Sequence, residues 1–414
     1  MSFWKKSAYP LYQLMRFAAM LLPGIFMARR GFSKDNIGDW EHVLMVSTGL
    51  SFFWVGGLSG AMSLVGRGRS KGGVISAFVA GALITTFLCL FQFFDKNLTY
   101  IITACAFVFL SSFSFALEAW CLANQYENRL LRFGFVFYPV LMMFTALAVY
   151  FSLSIDQILL LFALGFACKL FYFFLLKDPF SDAPVSIAAL WKHTWPLGLS
   201  LIAGGAGEYI DAIVVREFFG NASFAVFRYG ARELPYIPLL ANALSMSFLS
   251  RLSVDMKALP ELRKTSIQYL RILSIGCLLL VWASPLMYKH VMNPEFSNAA
   301  LFLNVFMLIL PLRFLFPQTV LLSKGYSKLI LWITIVELVL NIGISLTLLP
   351  FLGMFGIVLG TVLAAWIERM LLMYFCYKDC AVSPKMLTYR MEWVIWVLVL
   401  YGNFIAWYLT QSVV

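Results

Sequence analysis

Apolar stretches of about twenty residues or more recur along this chain, and nothing else in it constrains the fold as much. At 1.5 Å of rise per residue, such a stretch covers the roughly 30 Å hydrocarbon core of a bilayer as a single helix. Thirteen segments are expected to do so: 8–29, 40–65, 73–94, 99–124, 131–153, 155–177, 193–218, 221–250, 265–290, 297–322, 325–350, 354–378 and 391–411. Of 414 residues, 62% are hydrophobic and 12% charged, far more apolar surface than a water-soluble core requires. The connections are too short for a soluble domain. The first apolar stretch carries Arg16 and shows no cleavage-site pattern, so it reads as a span and not a cleavable signal. The expected class is an all-α polytopic membrane protein.

The net charge of +11 is spread over many short loops and forms no basic domain, which argues against a nucleic-acid partner. Loops on the N-terminal side of the membrane hold Lys5, Lys6, Arg67, Arg69, Lys71, Arg129, Arg132, Lys177 and Lys192 in the first half. In the second half they hold Arg251, Lys257, Arg263, Lys264, Lys324, Lys328, Lys378, Lys385 and Arg390. The opposite loops hold only Arg29, Arg30, Lys34, Lys96, Arg216 and Lys289. Positive charge is retained in the cytoplasm, so the N-terminus is expected there and, with an odd number of spans, the C-terminus outside.

The chain also repeats. LANQYENRLLRF, closing span four and opening span five, aligns with LLSKGYSKLILW at spans ten and eleven, matching Tyr126 to Tyr326. Lys177-Asp178 likewise returns as Lys378-Asp379. Two six-span repeats of the same orientation are a transporter signature. The expected organisation is an N-terminal six-helix lobe over 1–182, a C-terminal six-helix lobe over 183–380 and an additional transmembrane helix over 381–414. That last helix, rich in aromatics and without interior charge, is expected to face lipid or a partner.

Three passages carry a family resemblance. FRYGARELPYIPLLANALSMSFLSRLS resembles the eighth span of bacterial polysaccharide (Wzx-type) flippases. These belong to the superfamily that also holds multidrug exporters and lipid II flippases. GYSKLILWITIVELVLNIGISLTLLPFLGMFGIVLGTVLAAWIERMLLMYF is similar to that family's paired spans eleven and twelve, and includes Asn341. FSKDNIGDWEHVLMVSTGLSFFWVGGLSGAMSLV resembles its first external loop and second span. The resemblance implies two six-helix lobes in a V around a central cavity, open alternately to either membrane face. The implied substrate is an oligosaccharide on a polyprenyl pyrophosphate, carried from the cytoplasmic to the external leaflet of a bacterial inner membrane. Membrane lipids and polysaccharide biosynthesis enzymes are the implied partners. Many polysaccharide members are read with twelve or fourteen spans, so thirteen is a departure.

Charges inside the spans are the candidate functional residues, because each costs about 2.5–3.5 kcal/mol at a bilayer centre on insertion scales. Arg16, Arg228, Arg232 and Arg313 are the expected substrate-binding set, since guanidinium groups hold phosphate oxygens in bidentate geometry. Arg228 and Arg232 lie four apart and share one helix face. Arg271 and Lys169, near the cytoplasmic ends of their spans, are expected to snorkel toward the interface. Glu208, Asp211, Glu233 and Glu337 are the expected set for ion coupling or charge neutralisation, with Na+ or H+ as the coupling ion. For Glu208 and Asp211 the competing reading is that they neutralise Arg228 and Arg232 across the hairpin. Glu118, Glu368 and Arg369 complete the buried charge. Pro235, Pro238, Pro311 and Pro317 flank these groups and permit bends there.

No enzyme motif is present. His42, His193 and His290 sit at span ends without a second ligand at metal spacing, and GRGRSKGG at 66–73 lacks the strand-loop-helix setting of a phosphate loop. The seven cysteines lie in or beside spans and read as free buried thiols; no metal or cofactor is expected. The remaining alternatives are a cation-coupled multidrug exporter of the same superfamily and a multispan polysaccharide-processing enzyme. The first would be dominated by acids and aromatics; the second would need a large external loop or a His/Asp constellation.

Overall fold

A computed structural model describes residues 3–65, 71–123, 127–175, 187–234 and 236–412, with side chains described chiefly over 11–51, 78–118, 128–173 and most of 206–411. All regular structure among the described residues is helical. The chain divides into two compact units, Met1–Gly205 and Ala206–Val414. Nine helices among the described residues are long and apolar enough to cross a bilayer, or ten if one bent pair counts as a single span. The segments expected as spans two, three and seven are also largely helical, although side chains in parts of them, and residues 66–70 of the glycine-rich stretch, lie outside the described residues.

The first unit contains α1 (Phe3–Arg29), α2 (Lys34–Val65), α3 (Lys71–Leu90), α4 (Leu98–Ala123), α5 (Glu127–Tyr150) and α6 (Ile155–Leu175). Helix α1 packs on α5, while α4 sits centrally against α2, α3 and α6. Leu83, Ile84 and Phe87 on α3, Phe135, Met143 and Phe144 on α5, and Leu164 and Phe171 on α6 are exposed, as lipid-facing side chains should be. The inward faces carry small hydroxyls that pair across helices: Ser47 with Ser111 at 2.8 Å, and the Trp54 indole donating to Thr85 at 2.8 Å. Lipid supplies no hydrophobic drive between helices, so close packing and such hydrogen bonds hold them together.

The second unit begins within α7 (Ile187–Gly230), whose path turns at Gly220 with φ +78°, a conformation that favours a residue without Cβ. This turn falls between the expected spans seven and eight. Helix α8 (Tyr236–Val254) follows, then a 3-10 turn and α9 (Leu259–Val291). Next come α10 (Ala299–Phe306), a 3-10 turn at Met307–Ile309, α11 (Leu310–Arg313) and α12 (Pro317–Ser323). The unit ends with the tightly paired α13 (Ser327–Leu352) and α14 (Met354–Cys380), the short α15 (Pro384–Leu387) and α16 (Arg390–Ser412).

Two expected continuous spans are broken. Segment 221–250 is non-helical over 231–234, and segment 297–322 is interrupted between Arg313 and Pro317 with a bend of 44°. Proline accounts for the second: it donates no N–H and drives the residue before it out of the helical region, as at Phe316 before Pro317, with φ −116° and ψ +41°. Backbone freed inside a membrane must be satisfied by other protein groups. The Ser266 hydroxyl donates to the Phe314 carbonyl, and Arg369 Nη1 donates to the Leu315 carbonyl at 3.3 Å. Near the other break, Tyr288 donates to the Tyr229 carbonyl at 2.7 Å, and Gly230 packs directly on the Ala299 backbone, leaving no room for a Cβ.

The C-terminal helix corrects an expectation. Instead of meeting only lipid or a partner, α16 packs one face along α9. Trp393 Nε1 donates to the Pro311 carbonyl at 3.0 Å, and Tyr401 donates to that of Leu308 at 3.4 Å. Asn403 accepts from Trp282 Nε1 at 2.9 Å, and Glu392 holds Arg271 through both carboxylate oxygens. Arg271 is therefore paired and not simply snorkelling. The other face of α16, with Ile395, Leu398, Ile405 and Leu409, stays exposed.

Candidate functional site

Each unit holds its own cluster of intramembrane charge. In the first, four helices converge on Glu118 of α4, whose side chain is 2% exposed. Arg16 of α1 reaches Glu118 Oε2 at 2.5 Å, and Lys169 Nζ of α6, fully buried, donates to Oε1. Tyr12 of α1 donates to the same Oε1 at 2.7 Å and meets the Tyr138 hydroxyl of α5 at 3.0 Å. Lys169 lies 3.4 Å from Tyr138 as well. The guanidinium of Arg16 rests over the Phe115 ring, 4.9 Å from its centroid. Carboxylate, ammonium and hydroxyls thereby satisfy one another, which is the condition for keeping charge out of water.

Lys169 thus departs from the snorkelling expected of it. An ammonium that ends on a buried carboxylate has no need to reach the interface. Glu118 and Lys169 lie five and six residues before the ends of α4 and α6, about 8–9 Å in, at 1.5 Å per residue. Equal depth of opposite charges on different spans was the signal available in sequence, but only the packing of α4 on α6 makes them neighbours.

In the second unit, Asp211 of α7 is buried and accepts a hydrogen bond from Thr361 Oγ1 of α14. Thr361 also approaches Asn341 Oδ1 of α13 at 3.3 Å, and Ser345 donates to that same oxygen at 3.1 Å. Three helices therefore bring carboxylate, hydroxyl and amide oxygens together. Such hard oxygen donors suit a small cation or a proton. Thr361 and Ser345 were not singled out from sequence, since hydroxyls in spans are common and usually cap local carbonyls. Glu337, one turn before Asn341, lies in the field of Glu368 and Asp211, with Arg313 and Arg369 as its cationic neighbours.

A third arrangement joins the two broken spans. Arg313, ending α11, grips Glu233 with Nε 2.9 and 3.0 Å from the two carboxylate oxygens, and Nη2 adds a further bond. Arg232 and Glu233 line a small cleft with Ile237, Leu303, Phe306 and Leu310. Arg228 is buried near the end of α7, its guanidinium 5.9 Å from the Tyr209 ring centroid. The Glu208 side chain lies outside the described residues. Arg228, Arg232 and Arg313 thus belong to one unit and Arg16 to the other. Among the described residues, no group of three His, Cys, Asp or Glu could hold a metal ion, and none of the seven cysteines is in a disulfide.

Neither a protein-family model nor a curated protein matches the sequence. Solved structures do match the fold. One, described as lipid II flippase MurJ in an inward closed conformation, superposes with a TM-score of 0.71 at 17% identity, covering 97% of this chain and 92% of that one. An inward-facing multidrug resistance MATE family transporter of the MOP superfamily gives 0.63 at 14% identity, over 91% and 94%. A MOP superfamily transporter from Pyrococcus furiosus, described as having a binding pocket of reversed polarity, gives 0.55 at 12% identity, over 90% and 94%. The chain is a multi-pass membrane protein with the all-helical fold of these transporters.

Proposed function

We propose that this chain is a flippase, not an enzyme, moving a polyprenyl-pyrophosphate-linked oligosaccharide from the cytoplasmic to the external leaflet of a bacterial inner membrane by alternating access. The observation that carries this reading is the near full-length likeness to a structure described as a lipid II flippase. Intramembrane arginines add to it. Arg16, Arg228, Arg232 and Arg313 supply fork-shaped donors suited to pyrophosphate, while the prenyl tail stays in lipid. The N-terminus lies on the cytoplasmic side in this reading, following the bias of basic loops. Sugar-chain biosynthesis enzymes on that side deliver the substrate.

The Asp211, Thr361 and Asn341 oxygens, with Glu208 near in sequence and Glu337 in the field of Asp211, are the proposed ion-coupling set, and Glu233, held by Arg313, is proposed to neutralise charge. Na+ or H+ binding there would bias one conformation over another, and only a differential affinity for the two states can drive the cycle. A second reading, cation-coupled export of small molecules, is favoured by the likeness to MATE transporters.

Proteoliposomes decide between them. Purified protein is reconstituted with a fluorescent short-chain polyprenyl-pyrophosphate oligosaccharide, or with a cationic dye, under a Na+ or H+ gradient. Flipping of the lipid-linked sugar above protein-free vesicles supports the first reading; dye export alone supports the second. An Arg232→Ala protein that folds and still flips at the wild-type rate would remove the proposed role of that arginine.

A further inference from the structure

We propose that Glu118, clamped by Lys169, Tyr12 and Tyr138, is a positioning residue that holds the guanidinium of Arg16 oriented for a pyrophosphate headgroup. The inference rests on the flippase reading above and assigns that function a part of the first unit not otherwise used.

Stability alone does not account for the cluster. Buried ion pairs can often be replaced by well-packed apolar groups at no loss, and helices in lipid associate through small residues and interhelical hydrogen bonds. Here two cations and two phenols from three helices gather around one carboxylate on a fourth. The arrangement is also asymmetric. Tyr12, Glu118, Tyr138 and Lys169 are buried, whereas the Arg16 side chain stays 27% exposed. Everything that is sealed therefore supports the one group that is accessible.

The geometry fixes the plane of that group. Nη1 of Arg16 is tied to Glu118 Oε2, and its guanidinium carbon is seated over Phe115. An edge bond and a face contact together leave a planar fork little freedom to rotate. Bidentate capture of phosphate oxygens depends on such orientation, and ordering the fork beforehand removes that cost from binding. Glu118 cannot simply follow Arg16 away, because Lys169 and Tyr12 hold its other oxygen. The carboxylate is shared between two cations and does not belong to Arg16 alone.

The test separates positioning from packing. Binding of farnesyl pyrophosphate and thermal unfolding are measured in detergent for wild type, Arg16→Ala, Glu118→Gln and the double variant Glu118→Gln/Lys169→Met. The double variant removes both buried charges and is expected to melt closer to wild type than Glu118→Gln does. It is still expected to bind farnesyl pyrophosphate about tenfold more weakly, as Arg16→Ala does, the loss of one charge-assisted contact. Wild-type affinity in the double variant, with Arg16→Ala weakened, overturns the positioning role and leaves the flippase reading intact. Should farnesyl pyrophosphate fail to bind wild type at all, the flippase reading falls, and the inference with it. If the double variant does not fold, Tyr12→Phe decides, since it keeps both charges and deletes one tether. Binding about threefold weaker supports positioning, and unchanged binding overturns it.

Discussion

Glu233 and Arg313 join the two interruptions of the second unit: the first lies where span eight unwinds, the second at the last turn before span ten bends. Each break exposes polar backbone, and the ion pair ties one to the other. The pair is uneven in exposure, with Glu233 9% and Arg313 39% accessible, so solvent screens part of its strength. A double-mutant cycle with Glu233→Gln and Arg313→Met should give a coupling in the lower part of the roughly 0.5–3 kcal/mol expected for contacting residues. Thermal unfolding in detergent measures it, and a cycle that closes at zero would show the pair to be energetically idle.

The C-terminal helix is expected to support the broken span. Trp393→Phe keeps an aromatic side chain, though a smaller one, and removes the donor to the Pro311 carbonyl, leaving that buried oxygen without the partner it has now. The expected cost is about 1–3 kcal/mol, the penalty for a buried polar group left unmade. Melting temperature is the readout. Leu398→Ala, on the exposed face of the same helix, is the control and should shift it far less.

Gly230 allows α7 to approach α10 at backbone contact. A Cβ there would stand 2.9 Å from the Ala299 Cα and closer still to its carbonyl oxygen, both of them backbone atoms that cannot swing aside. Gly230→Ala should therefore destabilise by about 1–3 kcal/mol, as overpacking typically does. Gly276→Ala, where a Cβ meets nothing, should be tolerated, and equal melting of the two variants would contradict the close approach.

Ion coupling through Asp211 has a direct test. If Na+ binds beside Asp211 and Thr361, saturating sodium should raise the melting temperature, with about 2.7 kcal/mol of stabilisation at one hundred times Kd. Asp211→Asn and Thr361→Val should each reduce that sodium-dependent shift. A shift of the same size in K+ or choline, or one unaltered by Asp211→Asn, would locate coupling elsewhere. If H+ is the ion, the same variants should instead flatten the pH dependence of transport.

Much of the architecture could be read from the residues. Hydrophobic length marks a spanning helix directly, because a bilayer admits few other ways to satisfy a backbone, and the helices among the described residues fall close to the expected spans. The turn at Gly220 falls where the hairpin of spans seven and eight was expected. Prolines marked the bends near Arg232 and Arg313, although whether they would curve a helix or break it depended on donors from elsewhere in the chain.

Charge partners were a different matter. The sequence by itself determined that Glu118, Asp211, Glu233 and Arg313 place charge inside spans, where it needs a partner, while Lys169 read as a snorkelling end charge. Only the tertiary structure decided who meets whom: Lys169 ends on Glu118, Asp211 on Thr361, Glu233 on Arg313, and the last helix on α9 instead of facing only lipid. The physical reason is one of range. Hydrophobicity acts residue by residue against a uniform solvent, so it survives in a linear reading. An ion pair or hydrogen bond needs two groups within about 3 Å, and helix packing alone brings residues 51 or 150 positions apart to that distance.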